Sequence, residues 1–195
     1  MNEHEGTAGP QRREAVPGLE IRSLRHEDRG SLVLIDRAAT AHLAHHGFPS
    51  LLDAVIGSEG MDTLVEGRAV WVATLPTSGD GTSTEGSDRP VGFAVASDEG
   101  PFFYLHELSV DPAHMRRGIG TALLRAVVDH ARWAFHTTLA LDTFRTVPFN
   151  APFYAKRGFF EVERDAVPEP LATLAERNRP LGVHPAARVT MVRRL

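Results

Sequence analysis

The sequence predicts an α/β fold in which seven short strands are interspersed with helices along a chain of 195 residues. Two observations carry that expectation. The stretch from Tyr104 to Leu124 reads as a strand, a turn through Asp111-Pro112 and a glycine-rich loop that opens an amphipathic helix. Six further short segments read as strands, and helical stretches separate several of them.

Taken in order, Met1 to Gly18 is polar with Gly and Pro punctuation, which predicts a disordered start. Leu19-Glu-Ile-Arg-Ser-Leu24 alternates and predicts the first strand. His26 to about Gly47 and Ser50 to about Gly67 read as two helices. Ala69 to Thr74 and Val91 to Ala96 read as paired strands. Pro76 to Pro90 between them is a low-complexity hairpin tip with no apolar anchor, expected to be a mobile surface loop. After the strand around Tyr104–Val110, Ile119, Leu123, Ala126, Val127, Ala131 and Ala134 recur at helical spacing, with Arg125, Asp129 and Arg132 on the opposite face. Thr138 to Arg145 reads as a strand, Asn150 to Arg157 as a short helix and Gly158 to Val162 as another strand. Pro170 to Asn178 reads as a short helix, and Arg188 to Arg193 alternates as the last strand. No internal repeat interrupts this order, so residues 19–195 are read as a single domain.

The loop Arg116-Arg117-Gly118-Ile119-Gly120-Thr121 sits where the long helix begins. A helix start leaves its first N–H groups unpaired and concentrates partial positive charge there. Glycines let backbone approach a phosphate closely, and two arginines add charge, so the segment reads as a pyrophosphate cradle. Tight helix–strand packing is the alternative reading of Gly118-Ile119-Gly120. A nucleotide-binding P-loop needs a longer glycine loop ending in Lys and Ser or Thr, which is missing. A dinucleotide fold needs a third glycine where Leu123 stands.

Composition narrows the class further. With 42% hydrophobic and 24% charged residues the chain has the make-up of a globular protein. A net charge of −4 argues against nucleic acid as a partner. The absence of cysteine excludes disulfides, thiolate metal sites and a cysteine acyl-enzyme. No apolar run reaches transmembrane length and no signal-peptide pattern is present, so a cytoplasmic protein with no membrane partner is expected. His42, His45 and His46 lack a nearby carboxylate to complete a metal set, so no metal is expected and they are read as a polar helix end near Gly47.

From Val91 to Val162 the chain resembles the GNAT superfamily of N-acetyltransferases. The glycine loop resembles that family's coenzyme A-binding motif, with Met115 where Gln or Arg is usual. Phe153-Tyr154-Ala-Lys-Arg-Gly158-Phe159 looks like its tyrosine-before-Gly-Phe signature. The resemblance implies the GNAT acyl-CoA N-acyltransferase fold: a central mixed, mostly antiparallel sheet of about seven strands flanked by helices. It also implies acetyl-CoA as co-substrate, bound between the fourth and fifth strands.

Residue by residue, the resemblance points to backbone of Leu108, Ser109 and Val110 for the pantetheine arm. Arg116, Arg117, Gly118, Ile119, Gly120 and Thr121 would meet the pyrophosphate. Tyr154 would touch the coenzyme and donate the proton that the leaving thiolate takes up; its phenol, with an ordinary pKa near ~10, is protonated at neutral pH. Asn150 either caps the helix before it or reaches the coenzyme. Two groups on the fourth strand are candidates for the base. Simple alternation puts His106 with Tyr104 and Leu108, and Glu107 with Phe103 and Leu105. The family's usual position selects His106, and an ordinary pKa near ~6.5 suits it. A bulge in that strand would turn Glu107 to the substrate instead; in some relatives water serves as base.

The function expected is acetyl transfer from acetyl-CoA to an amine, with no acyl-enzyme. The acceptor, small molecule or protein, and homodimer formation stay open. The alternative from another class is a non-catalytic acyl-CoA-binding or sensor module.

Overall fold

A computed structural model describes residues 16–77 and 88–195. The expectations of a disordered start and of a mobile hairpin tip fall mostly on residues outside these. Seven strands form one sheet: β1 (Glu20–Ser23), β2 (Ala69–Pro76), β3 (Asp88–Asp98), β4 (Phe103–Val110), β5 (Thr138–Phe144), β6 (Phe160–Glu161) and β7 (Arg188–Arg194). Their order is β1-β2-β3-β4-β5-β7-β6. Every neighbouring pair is antiparallel except β4 and β5, which run parallel. The mixed, mostly antiparallel sheet flanked by helices is the arrangement anticipated above.

Parallel neighbours need a crossover, and α3 (Ile119–Trp133) supplies it between β4 and β5. Gly118 caps its start at φ 95°, in the left-handed region that glycine enters without penalty. Ile119, Leu123, Leu124, Val127, Val128 and Ala131 form its buried stripe and pack on Ala94, Ala96, Phe103, Leu105 and Leu139. His130 and Arg132 in the last turn complement the negative helix end. Truncating a fully buried leucine there, such as Leu123, costs about 2–5 kcal/mol.

The opposite face is covered by α1 (Arg29–Ala44) and α2 (Ser58–Val65), whose Leu32, Ile35, Met61 and Val65 pack on Val70, Val72, Phe93 and Val95. The stretch read as one helix from Ser50 to Gly67 is in fact broken: a 3₁₀ segment over Pro49–Ala54 precedes α2. Gly57, at the cap of α2 with extended backbone, lies at the break. A short α4 (Ala151–Ala155) precedes β6, and α5 (Glu169–Arg177) lays Leu171 and Leu174 on Phe102, Tyr104 and Ala140.

The entry to α1 is held by a buried ion pair. Asp28, 3% exposed, accepts from Arg22 Nη1 at 2.6 Å and Nη2 at 2.8 Å, and from the Arg25 backbone N–H at 2.7 Å. Losing one partner leaves the other charge buried and unpaired. Asp28→Ala is therefore expected to destabilise the protein by about 2–4 kcal/mol, read by chemical denaturation. Loss under about 0.5 kcal/mol would contradict this.

Candidate active site

The β4–β5 pairing ends early. Phe103, Tyr104 and Leu105 pair with Leu139, Ala140 and Leu141, and beyond them the two strands share no further partners. The cause lies in β4. Val95 opposes Glu107 and Ala96 opposes Leu105, so His106 is one residue too many and forms a bulge against β3. A bulge bends and twists the strand that carries it. The result is a gap that opens toward Leu108, Ser109 and Val110, with the start of α3 just beyond.

The bulge also overturns the simple alternation of side chains. Tyr104 lies against α5 and Leu105 against α3. Because of the extra residue, His106 and Glu107 both follow Tyr104 to the α1/α5 face, joined by Ser109, whereas Leu108 joins the α3 face. Grouping Glu107 with Phe103 and Leu105, and Leu108 with His106, is thereby corrected.

The two candidate bases have different surroundings. His106, its side chain 4% exposed, lies 2.6 Å through Nε2 from Ser97 Oγ, whose hydroxyl donates to Glu99 at 2.6 Å. Its ring also packs edge-on against Tyr104 at 4.9 Å. Burial, then the nearby Arg68, pushes its pKa down to about 4, so it is neutral at physiological pH. Glu107 Oε1 accepts from Ser109 Oγ at 2.7 Å and from the Leu108 backbone N–H at 3.1 Å. Burial raises its carboxyl above the usual range, against the pull of those two bonds and of Arg188. The Leu108 amide, expected to meet the pantetheine arm, is thus engaged by a neighbouring carboxylate.

Tyr154, on α4, is 8% exposed and wedged between Phe153 and Phe159, ring centroids 5.1 and 5.5 Å away. Burial first, and the Glu107 charge second, raise its phenol above the ordinary value. Tyr154 and Glu107, far apart in sequence, are therefore electrostatic neighbours at the gap. Asn150 stands at the N-cap position of α4, but its side chain makes no capping bond; only its carbonyl accepts, from Phe153 and Tyr154. The capping role considered for that side chain does not hold.

At the head of α3, Arg116 (φ 64°) and Gly118 (φ 95°) both adopt left-handed backbone, and Arg116 and Arg117 are exposed. A Cβ on Gly118 would meet nothing within 4 Å, so its surroundings are open to a ligand. A Cβ on Gly120 would instead meet Leu108, Phe153 and Val110 at 3.5–3.7 Å. Gly120 is the packing glycine of the pair, and Gly118 the one whose backbone conformation and open face suit a phosphate. Met115 packs against the core. Arg157, missed in the sequence, donates to Thr121 Oγ1 at 2.6 Å and lies 3.6 Å above the Phe153 ring, which brings a third arginine to this helix start.

Three more charged groups meet on the α1/α5 face without having been anticipated. Asp142 accepts from Thr190 Oγ1 at 2.9 Å and Tyr104 OH at 3.3 Å. Arg188 donates through Nη2 to the Asp142 carbonyl at 2.9 Å and lies over the Phe144 ring. Asp36 sits on the sheet-facing side of α1, one turn past Leu32, and is 7% exposed. Two of them were visible as a charge interrupting an apolar pattern: Asp36 beside Ile35, and Asp142 after Leu139-Ala-Leu. At the end of α1, His42 and His46 pack on Phe149 at 5.2 and 5.1 Å.

Burial, and then repulsion from Glu107, push the Asp36 carboxyl up to about 7. A carboxyl whose folded pKa is raised holds a proton that the unfolded chain has released, so stability falls as pH rises from about 4 to about 7 and levels off above. Asp36→Asn is expected to raise Tm by roughly 4–8 °C at pH 8 and to change it little at pH 4. An equal effect at both pH values would remove the charge from the explanation.

Residues 70–159 match the family model described as Acetyltransferase (GNAT) family. The fold is similar to that of a GCN5-related N-acetyltransferase from Rhodopseudomonas palustris, at 20% identity and TM-score 0.65, covering 96% of this chain and 100% of that one. It is also similar to the ribosomal-protein-S18-alanine N-acetyltransferase from Escherichia coli, at 18% identity and TM-score 0.61, covering 90% and 93%. The PaiA N-acetyltransferase from Thermoplasma acidophilum, solved in complex with coenzyme A, matches at 16% identity and TM-score 0.63, covering 91% and 99%. The glycine loop, the splayed parallel strands and the tyrosine helix all lie within the segment that matches the GNAT acetyltransferase family.

Proposed function

We propose that the protein moves the acetyl group of acetyl-CoA directly to an amine, with Glu107 as base and Tyr154 as acid. The observation that carries this reading is the parting of β4 and β5 beside Glu107, whose charge also bears on the Tyr154 phenol. In support, the opening leads to a helix start with left-handed Gly118 and three arginines, a chemistry that suits a pyrophosphate. The complexes of the Thermoplasma acidophilum relative with coenzyme A and of an Elizabethkingia anophelis acetyltransferase with acetyl-CoA favour the same ligand here.

In this reading the coenzyme's arm runs along the backbone of Leu108, Ser109 and Val110. Its phosphates meet the N–H groups of Arg116 through Thr121, with Gly118 allowing close approach; Asn150 lies beside its path. Glu107 takes one proton from the attacking ammonium: Oε1 is held by Ser109 and Leu108, while no hydrogen bond engages Oε2 among the described residues. A carboxyl raised by burial is a stronger base than an exposed one. As the C–N bond forms and the C–S bond breaks, Tyr154 gives its proton to the departing sulfur and is reprotonated by the second proton that the nitrogen sheds as the amide forms. Its raised phenol stays protonated until that charge develops. His106, neutral and bonded to Ser97, orients the strand rather than taking the proton.

The reading is tested by following thiol release from acetyl-CoA over a panel of amines. Tyr154→Phe and Glu107→Gln should each lower kcat by about 10²-fold or more while leaving the coenzyme Kd within a few-fold. His106→Gln should cost about tenfold or less. Loss of turnover in His106→Gln with Glu107→Gln unaffected would transfer the role of base to His106. Coenzyme binding with no thiol release from any amine would favour a non-catalytic acyl-CoA-binding module.

A further inference from the structure

Two charged groups of opposite sign on the α1/α5 side of the gap make no contact ion pair among the described residues, and neither is used by the chemistry above. Asp36 is more than nine-tenths buried and makes no hydrogen bond or ion pair among the described residues. It extends the Leu32–Ile35 stripe that packs on Val95, and Val95 stands directly opposite Glu107 in the β3–β4 register. Asp36 therefore hangs over the same point of the gap as the base. Arg188 opens β7 opposite Phe144, past the end of the β4–β5 pairing. Its one hydrogen bond goes to the Asp142 carbonyl, its Nε is buried without a partner, and no carboxylate lies within ion-pair distance among the described residues. The Asp142 carboxylate, on the neighbouring strand β5, accepts from Thr190 and Tyr104 instead.

A half-buried guanidinium with unused N–H groups is a site for a planar carboxylate, which it binds through two parallel hydrogen bonds. A buried carboxylate with no partner, set beside a second carboxylate, is complementary to an ammonium. Leaving both unsatisfied is costly, and one ligand carrying both charges satisfies both. We propose that the acceptor is an amino acid, its ammonium held between Asp36 and Glu107 and its free carboxylate held by Arg188. This rests on the acetyl-transfer reading, in which Glu107 removes the ammonium proton; Asp36, drawn into its ionised form by the bound ammonium, acts as a positioning residue. Amines lacking a carboxylate leave Arg188 unpaired and are rejected on that ground.

The test is calorimetric titration of the full chain, with and without desulfo-coenzyme A. The ligands are a set of free amino acids, their α-amides and the corresponding decarboxylated amines. At least one amino acid is expected to bind roughly 30- to 100-fold more tightly than its amide or amine. Arg188→Met should erase that preference while leaving the weak binding of the amides in place, and Asp36→Asn should weaken all three ligand types. Equal affinity for amino acids and amides, no binding of any amino acid, or an Arg188→Met effect that falls equally on all three types would overturn the proposal. Circular dichroism of each variant separates these results from misfolding. Failure to bind acetyl-CoA in a parallel titration would overturn the acetyl-transfer reading instead; the amino-acid preference, read also without coenzyme, is judged separately.

Discussion

The bulge at His106 is the constraint on which the rest of the site depends. A regular β4 would continue its parallel pairing with β5 and close the sheet over the space where the ligand groups gather. One extra residue bends the strand away after Leu105 and turns Glu107 onto the α1/α5 face. Backbone beyond the bulge loses its strand partner on that side. Glu107 takes up one such amide, that of Leu108, which ties the local hydrogen-bond deficit to the candidate base itself.

The same geometry explains why the face holding Asp36, Glu107, Asp142 and Arg188 is so polar. Sheet faces that pack on helices are ordinarily apolar, as the α3 side is from Ala94 to Leu139. On the α1/α5 side the apolar packing is split into separate clusters, one under α1 and α2 and one under α5, with the charged groups between them. Burying charge destabilises the folded chain, so this strip is maintained against a stability cost that an apolar replacement would remove. Such local conflict with the packing rules is characteristic of functional sites. Stability resides elsewhere, in the α3 interface and the Arg22–Asp28 pair.

Much of this was legible from the chain. Helical spacing located α3 to within a residue or two at its start, because Gly118 marks both a conformational need and a helix boundary. Strand order β4–α3–β5 followed from the same motif. Less was legible where a single residue changes the register: alternation assigned Glu107 to the wrong face, since a bulge leaves no local signal in Leu105-His106-Glu107. The break before α2 was hidden because the run holds two internal glycines of which only Gly57 breaks it, Gly60 lying inside α2. Asn150 looked like a cap by residue type, yet its backbone φ of −113° and ψ of −114° leave the side chain without a capping bond. Arg188 and Asp36 were unreadable as neighbours of Glu107 because they lie on elements far from β4 in sequence. Only the fold brings them to one gap.

The central claim is that the space between the diverging strands, headed by the start of α3, receives acyl-coenzyme A. Hydrogen–deuterium exchange with and without saturating coenzyme A tests it most directly. The account predicts slowed exchange at the amides of residues 107–110 and 116–121, with α5 and β1 unchanged. Unchanged exchange across both segments in the presence of bound coenzyme, or protection confined to other elements, would contradict it.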